Sequence, residues 1–141
     1  MEKANRYVFI KWDDASYSVD IKTVDDHHKV LLDLINDIYG SFMEKKHASA
    51  TSEILAKLEG YARYHFAFEE RIFAQIGYAL RADHIKEHRA FTDQIKLFKE
   101  QMASGFDATF GISNYLRDWL RNHIHKEDRK YAPLFKQAGI V

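Results

Sequence analysis

The run "YARYHFAFEERIF", Tyr61 to Phe73, decides the fold. Its apolar residues Tyr61, Ala62, Phe66, Ile72 and Phe73 continue a series begun by Ile54, Leu55 and Leu58 and ended by Ile76. That spacing is helical. An α-helix turns about 100° per residue, so positions four apart differ by about 40° and share a face. His65 follows Tyr61 by four and Leu58 by seven, and Glu69 follows His65 by four. Both polar side chains therefore point with the apolar stripe. Polar groups on a stripe that should be buried are the informative ones.

Three further segments carry the same periodicity. Residues 24–46 present Leu31, Leu32, Ile35, Ile38, Tyr39 and Phe42. The segment that holds Tyr61 to Phe73 starts near Ala50, with Thr51 or Ser52 as N-cap and Gly77 as C-cap. Residues 81–103 present Ile85, Phe91, Ile95, Phe98 and Met102, and Gly105 can end them. Residues 112–129 present Leu116, Trp119, Leu120 and Ile124. Four amphipathic helices of about 20 residues with short connections predict an all-α, up-down-up-down four-helix bundle. Residues 1–23, with Tyr7, Phe9, Trp12 and Tyr17, are read as an extended N-terminal arm packed along it. Residues 130–141 form a short tail, and the whole span 1–141 is read as one domain.

Composition narrows the function. The 141 residues are 46% hydrophobic and 30% charged, which fits an ordinary globular domain. The 21 basic and 21 acidic side chains cancel, so there is no basic excess to bind nucleic acid or a membrane surface. The chain has no cysteine, which excludes disulfides, thiolate metal sites and thiol catalysis. No run of about 18 apolar residues occurs, so no membrane insertion is expected. The opening "MEKANRYVFIKWDD" has an apolar patch too short for a signal peptide, and the expected compartment is the cytoplasm.

Each of the four helices carries imidazole on its core stripe. His28 lies four before Leu32 and seven before Ile35. His84 and His88 are four apart and lead to Phe91 and Ile95. His123 follows Leu116, Trp119 and Leu120 by seven, four and three. By contrast His27 is rotated about 100° from His28, toward an edge, and is expected to be partly exposed. His125 is rotated about 200° from His123 and should face solvent. A lone inward histidine is more often a hydrogen-bonded core residue than a ligand. Five of them with Glu69 are a different matter, because each unpaired buried polar group costs roughly 2–7 kcal/mol. One metal site satisfies them together.

The donor types restrict the metal. Five imidazoles with a carboxylate exceed what one zinc takes. Calcium and magnesium prefer oxygen. Imidazole with carboxylate suits iron, and the count suits two ions sharing carboxylate bridges. Carboxylate-rich di-iron bundles carry Glu-x-x-His on each of two helices. Here that motif occurs once, at Glu44 and His47. A less anionic, histidine-rich site favours reversible O2 binding over deep oxidation. One choice stays open in "RNHIHKEDRKYAP", Arg121 to Pro133. Glu127 lies four after His123, whereas Asp128 lies five after it, about 140° around an ideal helix. Geometry alone prefers Glu127.

These motifs are "DDHH" at Asp25 to His28, "HFAFEE" at His65 to Glu70, "HIKEH" at His84 to His88 and "WLRNHIHKED" at Trp119 to Asp128. With Trp12, "YSV" at Tyr17 to Val19 and Tyr131, the ordered set resembles the hemerythrin family, in particular its single-domain bacterial members, over nearly the whole chain. The resemblance implies two iron ions, cycling between Fe2+ and Fe3+, with an oxo or hydroxo bridge. It implies that His84, His88 and His123 hold one iron and His28 and His65 the other. Glu69 and Asp128 would bridge them, so the resemblance selects the acid that geometry does not. It further implies reversible O2 binding for storage, transport or delivery, with no enzymatic turnover, in a monomer that hands O2 to an oxygen-consuming enzyme. Phe66, Trp119, Leu120 and Ile124 match family positions around the O2 pocket, and plain core packing also accounts for them. A di-iron peroxidase and an O2 or redox sensor are the alternatives on this scaffold. The sequence departs from the family at Asp20, often glycine there, and at His27, often glutamine, where a role behind the ligands or in gating is the second reading.

Overall fold

The structure, a computed structural model, describes residues 8–45 and 48–141. Tyr7 and His47 lie outside them. The chain forms α1 (Asp14–Tyr17), α2 (Lys22–Met43), α3 (Ala48–Ile76), α4 (Arg81–Ala103), α5 (Thr109–His123), a π-helical turn (Ile124–Asp128) and α6 (Arg129–Gln137). No strand occurs among the described residues. α2 packs on α3 and α5, α3 packs on α4, and α4 packs on α5. Helices two to five thus close a four-membered ring, the expected bundle.

Where a glycine follows the apolar stripe, the helix ends as read. α4 spans the expected residues 81–103. Gly77 ends α3 at φ +64, and the Tyr78 N–H reaches back to the Phe73 carbonyl at 3.0 Å. Gly105, at φ +95, plays the same part after α4. Both are left-handed positions that glycine fills without steric cost.

Other limits differ, for local reasons. α3 starts at Ala48, so Thr51 is not its N-cap. The Thr51 hydroxyl is buried, 3.0 Å from Ser41 Oγ and 3.1 Å from Thr109 Oγ1, and ties α2, α3 and α5 together. α2 starts at Lys22. Asp25 accepts the Val19 N–H at 2.9 Å and the Ser18 hydroxyl at 2.6 Å, which folds the incoming chain onto its first turns. Ile85, expected in the core, is only half-buried, because His84, His88 and Phe91 take the inward stripe of α4. The expected tail is not separate: after the π turn the helix runs on to Gln137 with Pro133 inside it.

The arm is not wholly extended. Asp13 accepts the Ser16 N–H at 2.8 Å and caps the single turn α1. Ile10, Tyr17, Val19 and Ile21 are buried against the bundle. Asn36 clamps the strap from α2: its Oδ1 accepts from the Phe9 and Ile10 N–H groups and its Nδ2 donates to the Ile10 carbonyl, all at 2.8 Å. Asp20 sits at φ +60, which explains why glycine suits that position. Its carboxylate pairs with Lys136 at 2.8 Å. Among the described residues no helix is long and apolar enough to cross a membrane.

Candidate metal centre

The seven residues read as ligands converge on one layer of the bundle. His28 comes from α2, His65 and Glu69 from α3, His84 and His88 from α4, His123 from α5 and Asp128 from the π turn. None is more than 4% exposed. Asp128 Oδ1 lies 3.1 Å from His84 Nε2 and 3.2 Å from His123 Nε2, while its Oδ2 lies 3.1 Å from His28 Nε2. Glu69 Oε1 lies 3.0 Å from His88 Nε2 and 3.5 Å from His84 Nε2, while its Oε2 lies 3.5 Å from His65 Nε2. Each carboxylate therefore turns one oxygen to the His84, His88, His123 side and the other to the His28, His65 side. Two donor groups follow, each with its atoms mutually within 4.8 Å: Glu69, His84, His88, His123, and His28, His65, Glu69, Asp128.

These donors fit a cation and little else. Glu69 Oε1, both Asp128 oxygens and the Nε2 atoms of His84, His88 and His123 are buried without a hydrogen-bond partner. His28 Nε2 and His65 Nε2 face each other at 3.1 Å. Unpaired buried polar atoms are costly, and a shared cation satisfies them at once. The donors are imidazole nitrogen and carboxylate oxygen, the set that suits iron. In the metal-free chain protons supply the balancing charge. Burial pushes Glu69 up, but His65, His84 and His88 outweigh it and hold its carboxyl well below the usual range. Burial and Glu69 push Asp128 up, but His123 and His28 hold it well below. Burial pushes His84 and His123 down, yet Asp128 and Glu69 hold them up, at about 9 and about 10.

The two adjacent acids take different places. Within the π turn the Arg129 N–H reaches the Ile124 carbonyl, five residues back instead of four. Each turn there takes one extra residue, so the side chain five after His123 comes round beneath it. That side chain is Asp128. Glu127 is half-buried and pairs with Lys130 at 3.6 Å, and His125 is exposed as expected.

Apart from His27, the residues behind the ligands escaped the sequence reading. His88 Nδ1 lies 2.8 Å from Glu70 Oε2, and His123 Nδ1 lies 3.6 Å from Glu87 Oε1. The Tyr131 hydroxyl donates to Glu69 Oε2. His27, expected to be partly exposed, is 7% exposed, and its Nδ1 lies 2.8 Å from His65 Nδ1. Rings of Tyr61, Tyr64 and Phe68 enclose it. Burial, then the charges of His65 and His28, push it down to about 4, so it is neutral. The signal for its burial was present: Tyr61, Tyr64 and Phe68 form a second aromatic stripe on α3, beside the ligand stripe.

Next to the ligand layer lies a cavity of about 10 Å³ with only apolar lining residues. They lie three and seven after His28 (Leu31, Ile35), three and seven before His65 (Ala62, Leu58), three after His88 (Phe91), and three and seven before His123 (Leu120, Leu116). Successive helices thus cross this layer in opposite directions, as an up-down-up-down bundle requires. Phe66 and Trp119 complete the lining, Phe66 stacked on His88 at 3.8 Å and Trp119 on His123 at 4.4 Å. A volume at the lower limit for one water, with no polar partners, stays dry. Ile124, the fourth expected pocket residue, is fully buried but is not part of this lining.

Fold and site together define a helical-bundle metalloprotein with a buried centre of histidines and shared carboxylates. Its closest chemical description is two adjoining cation positions. The chain belongs to the hemerythrin family, whose members bind oxygen at non-haem iron: the hemerythrin HHE cation binding domain matches residues 19–135. It is 31% identical over 127 residues to the bacteriohemerythrin of Pseudomonas aeruginosa strain LESB58, covering 90% of this chain and 82% of that one. It is 27% identical over 123 residues to the bacteriohemerythrin of Methylococcus capsulatus strain Bath, covering 86% and 93%. A solved structure of a wild-type hemerythrin superposes with a TM-score of 0.79 at 28% identity, covering 89% of this chain and 96% of that one.

Proposed function

We propose that this protein binds O2 reversibly at a non-haem di-iron centre, for oxygen storage, transport or delivery. The observation that carries the reading is the division of Glu69 and Asp128, each with one oxygen near two of His84, His88 and His123 and the other near one of His28 and His65. His84, His88 and His123 would hold one iron and His28 and His65 the other, with Glu69 and Asp128 shared between them. Two iron ions held this way supply reversible O2 binding.

The chain's residues then do three things. They orient His65, His88 and His123 with Nε2 inward, through His27, Glu70 and Glu87 behind their Nδ1 atoms. They keep water out through Phe66, Trp119 and Leu120. They also place no titratable acid in the cavity wall, which favours release of O2 over its reduction. The same reading has residues 1–141 acting as one domain, in a cytoplasmic monomer that serves an oxygen-consuming enzyme. The test is iron per chain with visible spectra in air and after deoxygenation. Two irons and bands that vanish and return support the reading. A colourless protein after iron reconstitution overturns it, and sustained peroxide turnover with a reducing co-substrate makes it a peroxidase.

A further inference from the structure

The partners behind the ligand histidines follow a rule around the bundle. Glu70, next to Glu69 on α3, reaches Nδ1 of His88 on α4. Glu87, next to His88 on α4, faces Nδ1 of His123 on α5. His27, next to His28 on α2, reaches Nδ1 of His65 on α3. Each is one residue from an inward ligand, about 100° round its helix, and so faces the neighbouring helix. Two of the three are carboxylates, and His27 is the exception.

We propose that His27 is the positioning residue for His65, and that as a neutral partner it makes the two-histidine metal position the less electron-rich of the pair. The argument rests on the di-iron reading above. Two Nδ1 atoms at 2.8 Å share one proton. If His27 donated it, His65 would carry its own proton on Nε2, the atom that faces His28 and Glu69, and could not ligate. His65 therefore donates from Nδ1, His27 accepts, and His27 keeps its own proton on Nε2. A carboxylate behind an imidazole strengthens it as a donor. His88 Nδ1 has Glu70 at 2.8 Å and His123 Nδ1 has Glu87 at 3.6 Å, His65 has a neutral ring, and the Nδ1 atoms of His84 and His28 have no partner. The two positions thus differ in the quality of their imidazoles as well as in their number. The aromatic enclosure of His27 keeps water from competing for its accepting nitrogen.

The test uses the full chain loaded with zinc, a diamagnetic probe, in wild type, His27→Gln, His27→Leu and His27→Glu. Two-bond 1H–15N spectra report which His65 nitrogen holds the proton, and titration gives the affinity of each zinc. Wild type and His27→Gln should show a slowly exchanging His65 Nδ1–H. His27→Leu should lose that protection and weaken the second zinc about 10- to 100-fold, with Gln restoring it. Equal affinity and an unchanged His65 signal in His27→Leu overturn the proposal while leaving the metal centre standing. A wild type that binds no metal overturns the di-iron reading instead. If Leu prevents folding, Glu against Gln decides: the anionic acceptor should tighten the second zinc, and equal affinities overturn the proposal.

Discussion

Asp128 and Glu127 are adjacent acids with opposite expected fates, and neutralising each in turn tests the π turn directly. Asp128→Asn removes one negative charge from a fully buried position within 3.2 Å of three imidazole nitrogens. In the metal-free chain it strips His84 and His123 of their principal anion. Breaking a buried charge pair by removing one partner costs about 3–5 kcal/mol. For a chain of this size that corresponds to a fall in Tm of roughly 10–20 °C. Glu127→Gln removes a charge whose recorded partner is Lys130 at 3.6 Å, a half-exposed lysine. An exposed pair of this kind contributes about 0–1 kcal/mol, so Tm should move by no more than about 4 °C. Calorimetry on the chelator-treated proteins measures the first quantity, and iron per chain after anaerobic reconstitution measures the second. Asp128→Asn should hold fewer irons than wild type, and Glu127→Gln the same number. A Glu127→Gln protein that loses iron while Asp128→Asn keeps it would mean that the helix runs in ordinary α phase and that the π turn is wrong.

Three further outcomes follow from the geometry. Leu120→Ser brings a hydroxyl into the dry cavity and gives water a partner, so autoxidation in air should quicken several-fold; a wild-type rate removes Leu120 from the protecting wall. Metal uptake by the chelated protein at pH 7 should release protons, because His84 and His123 keep theirs up to about 9 and about 10 when no metal is present, whereas a ligating Nε2 must be neutral. Affinity should therefore rise with pH from 7 toward 9, and a pH-stat titration that registers no release would refute this. Deleting exposed His125 removes the extra residue of the π turn and leaves Asp128 four after His123, about 40° from its face in an α-helix, so the variant should fold and keep its iron. Loss of iron in that variant would show that the π turn does more than set phase.

Much of this centre is legible in the sequence because one rule, the spacing of three and four, governs both the apolar stripe and the ligands on it. His28, His65, Glu69, His84, His88 and His123 all obey that rule, and all six lie in the core. Asp128 does not, because the backbone bonding changes between His123 and Arg129, and nothing in hydrophobic spacing announces a π turn. The resemblance to a known family selected it where the angle could not. The continuation through Pro133 was missed because proline ordinarily ends a helix, and here the helix carries past it.

Glu70 and Glu87 were illegible, and His27 only half legible, for a different reason, which also says where to look for such partners. A stripe analysis asks which residues share a face and discards those about 100° off it. In a four-helix ring that discarded flank is the one facing the neighbouring helix, whose ligand presents its outer nitrogen there. His27, Glu70 and Glu87 are each the sequence neighbour of an inward ligand, and each meets the next helix in chain order. The relation leaves out His84 and His28, whose Nδ1 atoms are buried and unpartnered; for His28 the helix that would serve it is α5, where the residues flanking His123 are Asn122, which is exposed, and Ile124, which is apolar. Three histidines with carboxylates behind two of them, facing two histidines with none, is an asymmetry built from the flanks of the helices. Inward spacing alone would have made the two halves differ only in ligand count. On the di-iron reading proposed above, the difference between its two positions would thus be written partly in residues one step off the stripe.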